Sequence, residues 1–226
     1  MIEFNFIGKV SCGFKEKFGI PRQPGLCPNV PAQVILEKTR FNEEAVRELD
    51  MYSHIWIIFH FHLLKKTPDK ARIRPPRLGG NQYVGLYSSR SPYRPNPIGL
   101  SLVQLEGIEF NEKEICLNIL SHDLHDGTPV LDIKPFISTD IPSTEVNFGW
   151  QSQTWHTLEV QFADGVETSL ENQQIISQVL QQDPRPAYDK KKGNNKTYHM
   201  TLNELNISFN VHSRTCVVTS ISNETH

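Results

Sequence analysis

No CxxC pair, GxGxxG, P-loop, GxSxG or HExxH motif occurs anywhere in the 226 residues, and each absence removes a class of protein. The missing glycine fingerprints take most of the weight from the common nucleotide-binding and hydrolase folds. The four cysteines, at 12, 27, 116 and 216, are too few and too far apart for a zinc knuckle or a disulfide framework, so free thiols are expected. No apolar run approaches the roughly 20 residues of a membrane span. The start, Met1-Ile-Glu-Phe-Asn-Phe, lacks the basic region and apolar core of a signal peptide. The expectation is a cytoplasmic protein with no membrane partner. Internal repeats and low-complexity tracts are also missing.

What is present is ordinary folded chain. Hydrophobic residues make up 38% and charged residues 21%, which argues against disorder. The length suits one large domain or two modest ones. A formal charge of −2 conceals a basic stretch: Lys65, Lys66, Lys70, Arg72, Arg74, Arg77, Arg90 and Arg94 are opposed only by Asp69. One face should therefore be basic, and a second cluster, Arg185 with Lys190, Lys191 and Lys192, lies near the end. Charge runs are commonly no more than solvated surface.

Up to Ile137, short apolar runs separated by Gly, Pro and Asn read as β-structure. The expected strands are Phe4 to Val10, Gln33 to Leu36, Ile55 to His62, Tyr83 to Tyr87, Leu100 to Ile108, Ile115 to Leu120 and Val130 to Ile137. One helix interrupts them, with Asn42 as its cap and Ala45, Val46 and Leu49 on one face. Ser138 to Trp150 has no clear period and reads as a linker or a wandering surface strand. Beyond it the pattern gives a strand at Leu158 to Phe162, a helix at Ser169 to Gln181, and strands at Thr197 to Leu202, Asn206 to Val211 and Cys216 to Ile221. The fold class is mainly β, with a sheet or barrel at residues 1–140 and a small α+β domain at 150–226 that should dock on the first domain or on a partner.

The most informative stretch is Ser88-Ser-Arg-Ser-Pro-Tyr-Arg-Pro-Asn-Pro-Ile-Gly99. Pro92, Pro95 and Pro97 each fix φ and bias the residue before them toward extended backbone. A loop this stiff suits holding Arg90 and Arg94 at set angles for a carboxylate or phosphate. Pro21-Arg-Gln-Pro-Gly-Leu-Cys-Pro28 is a second stiffened loop, and Arg72-Ile-Arg-Pro-Pro-Arg-Leu-Gly-Gly80 a third. His60 and His62 would share a strand face, yet no third ligand stands at a telling spacing, so no metal site is expected. Asp123 and Asp126 lie at a strand-to-turn junction marked by Asp126-Gly127. Two carboxylates there admit a hydrolase, although phosphohydrolase His-Asp pairs sit on helices and this flank reads as strand. A non-catalytic RNA-binding module with a bound nucleotide would use the same basic loops.

Together, Pro21-Arg-Gln-Pro-Gly-Leu26, Tyr52-Ser-His-Ile-Trp56, Arg74-Pro-Pro-Arg-Leu-Gly-Gly80, Ser89-Arg-Ser-Pro-Tyr-Arg-Pro-Asn-Pro-Ile-Gly99 and Asp123-Leu-His-Asp-Gly-Thr-Pro-Val-Leu-Asp-Ile-Lys-Pro135 resemble, in order, the motifs of the TsaA-like family. Asp183-Pro-Arg-Pro-Ala-Tyr188 is similar to its C-terminal part. The resemblance implies a single-sheeted β-barrel methyltransferase that uses S-adenosylmethionine near a homodimer interface. The implied reaction is N6-methylation of threonylcarbamoyladenosine at position 37 of threonine tRNA. By the same analogy, Pro24, Gly25, Leu26, His62, Leu63, Arg90, Leu100, Leu120, Ser121, His122 and Asp123 form the cofactor pocket. Asp126 and His60 are candidate proton acceptors, and Arg94 and Arg77 candidate partners of the threonylcarbamoyl carboxylate. His122 and His125 stand where the family more often has apolar or small residues, and Phe136 replaces a common tyrosine.

Overall fold

The computed structural model describes residues 3–65, 70–152, 157–190 and 196–223. Lys66 and Asp69 of the basic stretch, and Lys191 and Lys192 of the second cluster, lie outside the described residues. Among the described residues no helix is long and apolar enough to cross a membrane.

Strict alternation decides the main sheet. In β1 (Gly8–Cys12), β2 (Pro31–Glu37) and, after the short helix α1 (Arg40–Ala45), β3 (His54–His60), every second side chain turns inward. Ala32, Val34 and Leu36 fill the interior from β2, and Ile55, Ile57 and Phe59 from β3. A two-residue ladder, β4 (Arg72–Ile73) with β5 (Val84–Gly85), follows. Then come β6 (Ile98–Phe110), β7 (Glu114–Leu120) and β8 (Pro129–Pro135). The strand order is β1-β2-β7-β6-β3-β8, and β8 pairs back onto β1 through Gly8↔Val130 and Lys9↔Pro129, so the sheet closes. Closure removes the free edges that an open sheet would expose. Each fully buried aliphatic side chain contributes on the order of 1.5–3 kcal/mol, and Ile55, Ile57, Ile115, Leu117 and Ile119 are all in that position.

The second unit is a four-stranded sheet in the order β10-β11-β12-β9, formed by β9 (Glu159–Phe162), β10 (Thr197–Leu202), β11 (Leu205–His212) and β12 (Thr215–Asn223). The helix α2 (Leu170–Gln181) covers it with Ile175, Ile176, Val179 and Leu180, while Leu170 stays in solvent. Ser169 caps α2 by accepting from Asn172 N, which satisfies a donor the helix cannot pair. A short turn of helix, α3 (Ala187–Lys190), follows.

Several sequence expectations shift. The first strand begins at Gly8 instead of Phe4, and Phe4 and Phe6 are exposed. Thr39, not Asn42, caps α1: its hydroxyl accepts from Asn42 N. Only Val84–Gly85 of the expected Tyr83–Tyr87 strand pairs, because the chain turns at once through Leu86–Ser88. Strand β3 stops at His60, where Phe61 N donates to Pro97 O and His62 N donates back to His60 O, so His60 and His62 do not share a strand face. Residues 138–150 hold two single 3-10 turns and no strand. Most consequential, Phe14, Cys27 and Val30 belong to the core of the second unit, with Phe18, Ile20 and Leu26 packed against it. The segment between β1 and β2 is therefore built into the second unit, although its neighbours in sequence are strands of the first.

Candidate active site

The proline-rich loop is braced as its composition requires. Arg94 N donates to Pro92 O at 2.8 Å and Ile98 N to Asn96 O at 2.7 Å, two tight three-residue turns around the prolines. Arg94 points into its own loop: Nη1 donates to Ser89 O at 2.8 Å, and the guanidinium lies 5.6 Å from the Tyr87 ring centroid. Trp150 Nε1 donates to Ser88 O at 2.8 Å, so the connecting segment also pins the loop. Arg90 leaves the loop in the other direction, toward the second stiffened loop, where Nη1 donates to Gln23 Oε1 at 2.9 Å.

Opposite stands the segment after β7. Ser121 adopts φ of 65°, a left-handed conformation uncommon for a residue with a side chain, and both its carbonyl and its hydroxyl accept from Gly25 N at 3.1 Å. Gly25, with φ of 85°, meets the condition under which glycine costs least. Asp123 follows on this segment, and its carboxylate accepts a hydrogen bond from the buried Ser101 hydroxyl on β6. Burial pushes its pKa up to about 6, against the pull of Ser101 and of the Arg90 charge. A negative charge held here is costly unless a cation comes to meet it.

Three adjoining cavities surround these groups. The smallest, about 270 Å³, is walled by Phe59 and Phe61, whose rings meet edge to face at 4.9 Å, with His60, His62, Leu63 and Asp123. A second, about 370 Å³, runs over Gly99, Leu100, Arg90, Arg94 and the other side of Asp123. The third is a wide cleft of about 660 Å³ in which Arg22, Lys70, Arg72, Arg74, Arg77 and Arg90 line one basin with Tyr83, Tyr93 and Trp150. Arg72 and Arg74 lie 5.1 and 4.4 Å from the Tyr83 ring centroid. Cations interleaved with aromatic rings suit a polyanion that also offers bases to stack.

Some expected site residues do not reach the cavities. His122 is fully buried: Nδ1 accepts from Leu124 N, leaving Nε2 to donate to Pro31 O. Burial lowers its pKa to about 4, so the ring is a neutral part of the core. Asp126 is committed to a turn, with Oδ1 accepting from Cys12 N at 3.0 Å. Pro24, Gly25, Leu26, Leu120 and Ser121 line none of the three cavities; Gly25 and Ser121 instead join the two loops behind them. Sequence reasoning missed Gln23, Phe59, Phe61, Tyr93 and Trp150. The signal for Gln23 was present, since it stands between Arg22 and Pro24 in a stiff loop, whereas Trp150 lies in a stretch with no pattern.

Similarity to known proteins runs through both units of the chain. Residues 9–140 match the model of the tRNA-methyltransferase O N-terminal domain, and residues 155–224 that of the TrmO C-terminal domain. A relative from Escherichia coli named tRNA (adenine(37)-N6)-methyltransferase is 38% identical over 219 residues, covering 92% of this chain and 93% of that protein. A Pseudomonas aeruginosa protein named as a putative S-adenosylmethionine-dependent methyltransferase is 37% identical over 81% of this chain and 82% of its own length. Among solved structures, TrmO from Pseudomonas aeruginosa superimposes with a TM-score of 0.76 at 27% identity, over 99% of this chain and 100% of that one. With both parts matched and the braced arginine loop in place, the chain belongs to the tRNA-methyltransferase O family.

Proposed function

We propose that this protein is an S-adenosylmethionine-dependent tRNA methyltransferase that places a methyl group on N6 of threonylcarbamoyladenosine at position 37 of threonine tRNA. The observation that carries the reading is the shared wall: Arg90 lines both the wide cationic cleft and the 370 Å³ cavity that ends on Asp123. A polyanion held in the first is thereby brought against a small molecule held in the second. A relative named for N6 of the adenine at position 37 supports that position of tRNA as the target.

The donor set fits the cofactor. Adenosylmethionine carries a carboxylate, an ammonium, a sulfonium and an apolar purine face. Arg90 would pair with the carboxylate, Asp123 would meet a cationic or hydroxyl group and so recover the cost of its burial, and Phe59, Phe61 and Leu100 would cover apolar surface. When bound, it supplies an electrophilic methyl group. This chain's part is to hold the ureido N6–H of the modified adenosine in line, exclude water and accept the proton that N6 loses. With Asp126 spent on Cys12 N, His60, which lines the 270 Å³ cavity, is the acceptor. Because Arg94 braces its own loop, Arg77, which lines the cationic cleft, is the candidate partner for the threonylcarbamoyl carboxylate. Residues 1–140 carry the site, joined by Trp150 at the edge of the cationic cleft, residues 150–226 form the second domain, and the working form is a homodimer in the cytoplasm.

Mass spectrometry of position 37 tests the substrate. Incubation with adenosylmethionine should add one methyl to threonine tRNA carrying threonylcarbamoyladenosine and none to the unmodified transcript. Equal methylation of both would refute the requirement for the threonylcarbamoyl group.

A further inference from the structure

The loop that carries Gln23 belongs physically to the second unit. Upstream of it Phe18 and Ile20, and downstream Leu26, Cys27 and Val30, pack into the core formed by α2 and the four-stranded sheet. Polar contacts repeat the attachment. Asn29 N donates to Gln178 Oε1 at 2.9 Å, and Gln182 Nε2 donates to Leu26 O at 3.4 Å, both partners lying at the C-terminal end of α2. Just beyond, the Asp183 carboxylate takes Arg185 Nε at 2.8 Å and Lys190 Nζ at 3.1 Å, a compact charged knot. Arg22, next to Gln23, feels the Asp183 charge, although burial acts on it more strongly and lowers its pKa. Within the loop, Gln23 Nε2 donates to Arg22 O at 2.5 Å, which orients the carboxamide so that Oε1 faces Arg90.

Arg90 itself is exposed and projects from a loop of the first unit. A long side chain in that position would sample many rotamers and lose them on binding. Its bond to Gln23 Oε1 restricts it in advance, and the rigidity of Gln23 is borrowed from the second unit.

We infer that Gln23 is a positioning residue that sets the Arg90 guanidinium for the cofactor, and that the C-terminal unit serves the reaction by holding the loop from which Gln23 acts. The inference rests on the proposal that Arg90 meets adenosylmethionine. It assigns the C-terminal unit a role in methyl transfer that requires no contact between that unit and tRNA.

The test is calorimetric titration of the full chain with adenosylmethionine in a double-mutant cycle. Gln23→Met keeps the length of the side chain and removes the acceptor, and should raise Kd by roughly three- to tenfold, as expected for one hydrogen bond to a charged donor at a surface. In an Arg90→Ala background the same change should have almost no effect, because the coupling is between these two side chains. Cutting the attachment with Gln178→Ala and Gln182→Ala together should weaken binding in the same direction, again only when Arg90 is present. A Gln23→Met effect of equal size with and without Arg90 would mean general loop damage and would overturn the inference, as would no effect with Arg90 present. An unchanged Kd in the Gln178→Ala, Gln182→Ala chain would overturn the part assigned to the second unit. Failure of the unaltered chain to bind adenosylmethionine would instead sink the functional reading on which all of this rests.

Discussion

Replacing Asp123 with Asn should stabilise the protein at neutral pH while removing cofactor binding. Burial raises this carboxyl from an ordinary 3.8 to about 6. The native state therefore binds more protons than the unfolded state between those values. Its stabilising contribution is fully present below 3.8 and lost as the pH rises through 6. Two pKa units correspond to about 3 kcal/mol, which the partial exposure of Asp123 on its cavity side reduces to about 1–2 kcal/mol. Asn keeps an oxygen to accept from the Ser101 hydroxyl, so that contact survives. The adjacent His122 works in the opposite sense. Its folded value of about 4 lies below the ordinary 6.5, so its contribution is present above 6.5 and lost as the pH falls through 4. Across pH 4 to 6 the two trends offset each other, and D123N leaves that of His122 unopposed. At pH 7.5 the variant should melt about 2–8 °C higher, with little or no gain at pH 4.5. Thermal scans by circular dichroism at both pH values measure this, and titration with adenosylmethionine measures the loss of binding. A lower Tm at pH 7.5, or a gain of the same size at pH 4.5, would refute the reasoning that the charge of Asp123 is held at a cost for function.

Changing Arg72 and Arg74 together to Gln should weaken binding to all tRNAs alike and flatten the slope of log affinity against log salt by about 1.5, since each phosphate contact contributes slightly less than one released counterion. Adenosylmethionine affinity should stay the same, and an unchanged salt slope would remove the cleft from the tRNA footprint. Gly99→Ala would place a Cβ 2.1 Å from Phe59 Cζ, and the displaced ring should cost about 1–3 kcal/mol; an unaltered urea midpoint would show that the wall of the cavity yields freely.

How much was legible depended on how local the cause was. The strands β2, β6, β7 and β8 were visible because alternation and turn residues act over a few positions, and α2 because its apolar spacing and Ser169 cap are self-contained. The ends were less visible: β3 stops at His60 because Phe61 N finds Pro97 O, a partner distant in sequence. Between the expected strands at Phe4 to Val10 and Gln33 to Leu36, only the stiffened loop from Pro21 to Pro28 was legible. Phe14, Ile20 and Leu26 are apolar at irregular spacing because they pack individually against another unit's core.

The residues of this chain by themselves determined the β character of the first 140 positions, the stiffness of the arginine loop and the family to which both belong. These follow from fixed proline φ angles, side-chain alternation and ordered motifs, all of which are properties of adjacent residues. Which side chains face the cavities was decided only by the tertiary structure. Arg90 and Arg94 are four positions apart in one loop, yet one reaches Gln23 and the other folds back onto Ser89 O. Asp123 and Asp126 are three positions apart on one segment after β7, yet one lines two cavities and the other holds Cys12 N. In each pair the residue type is the same and the difference lies in which donors and acceptors the closed sheet and the second unit bring within hydrogen-bonding distance.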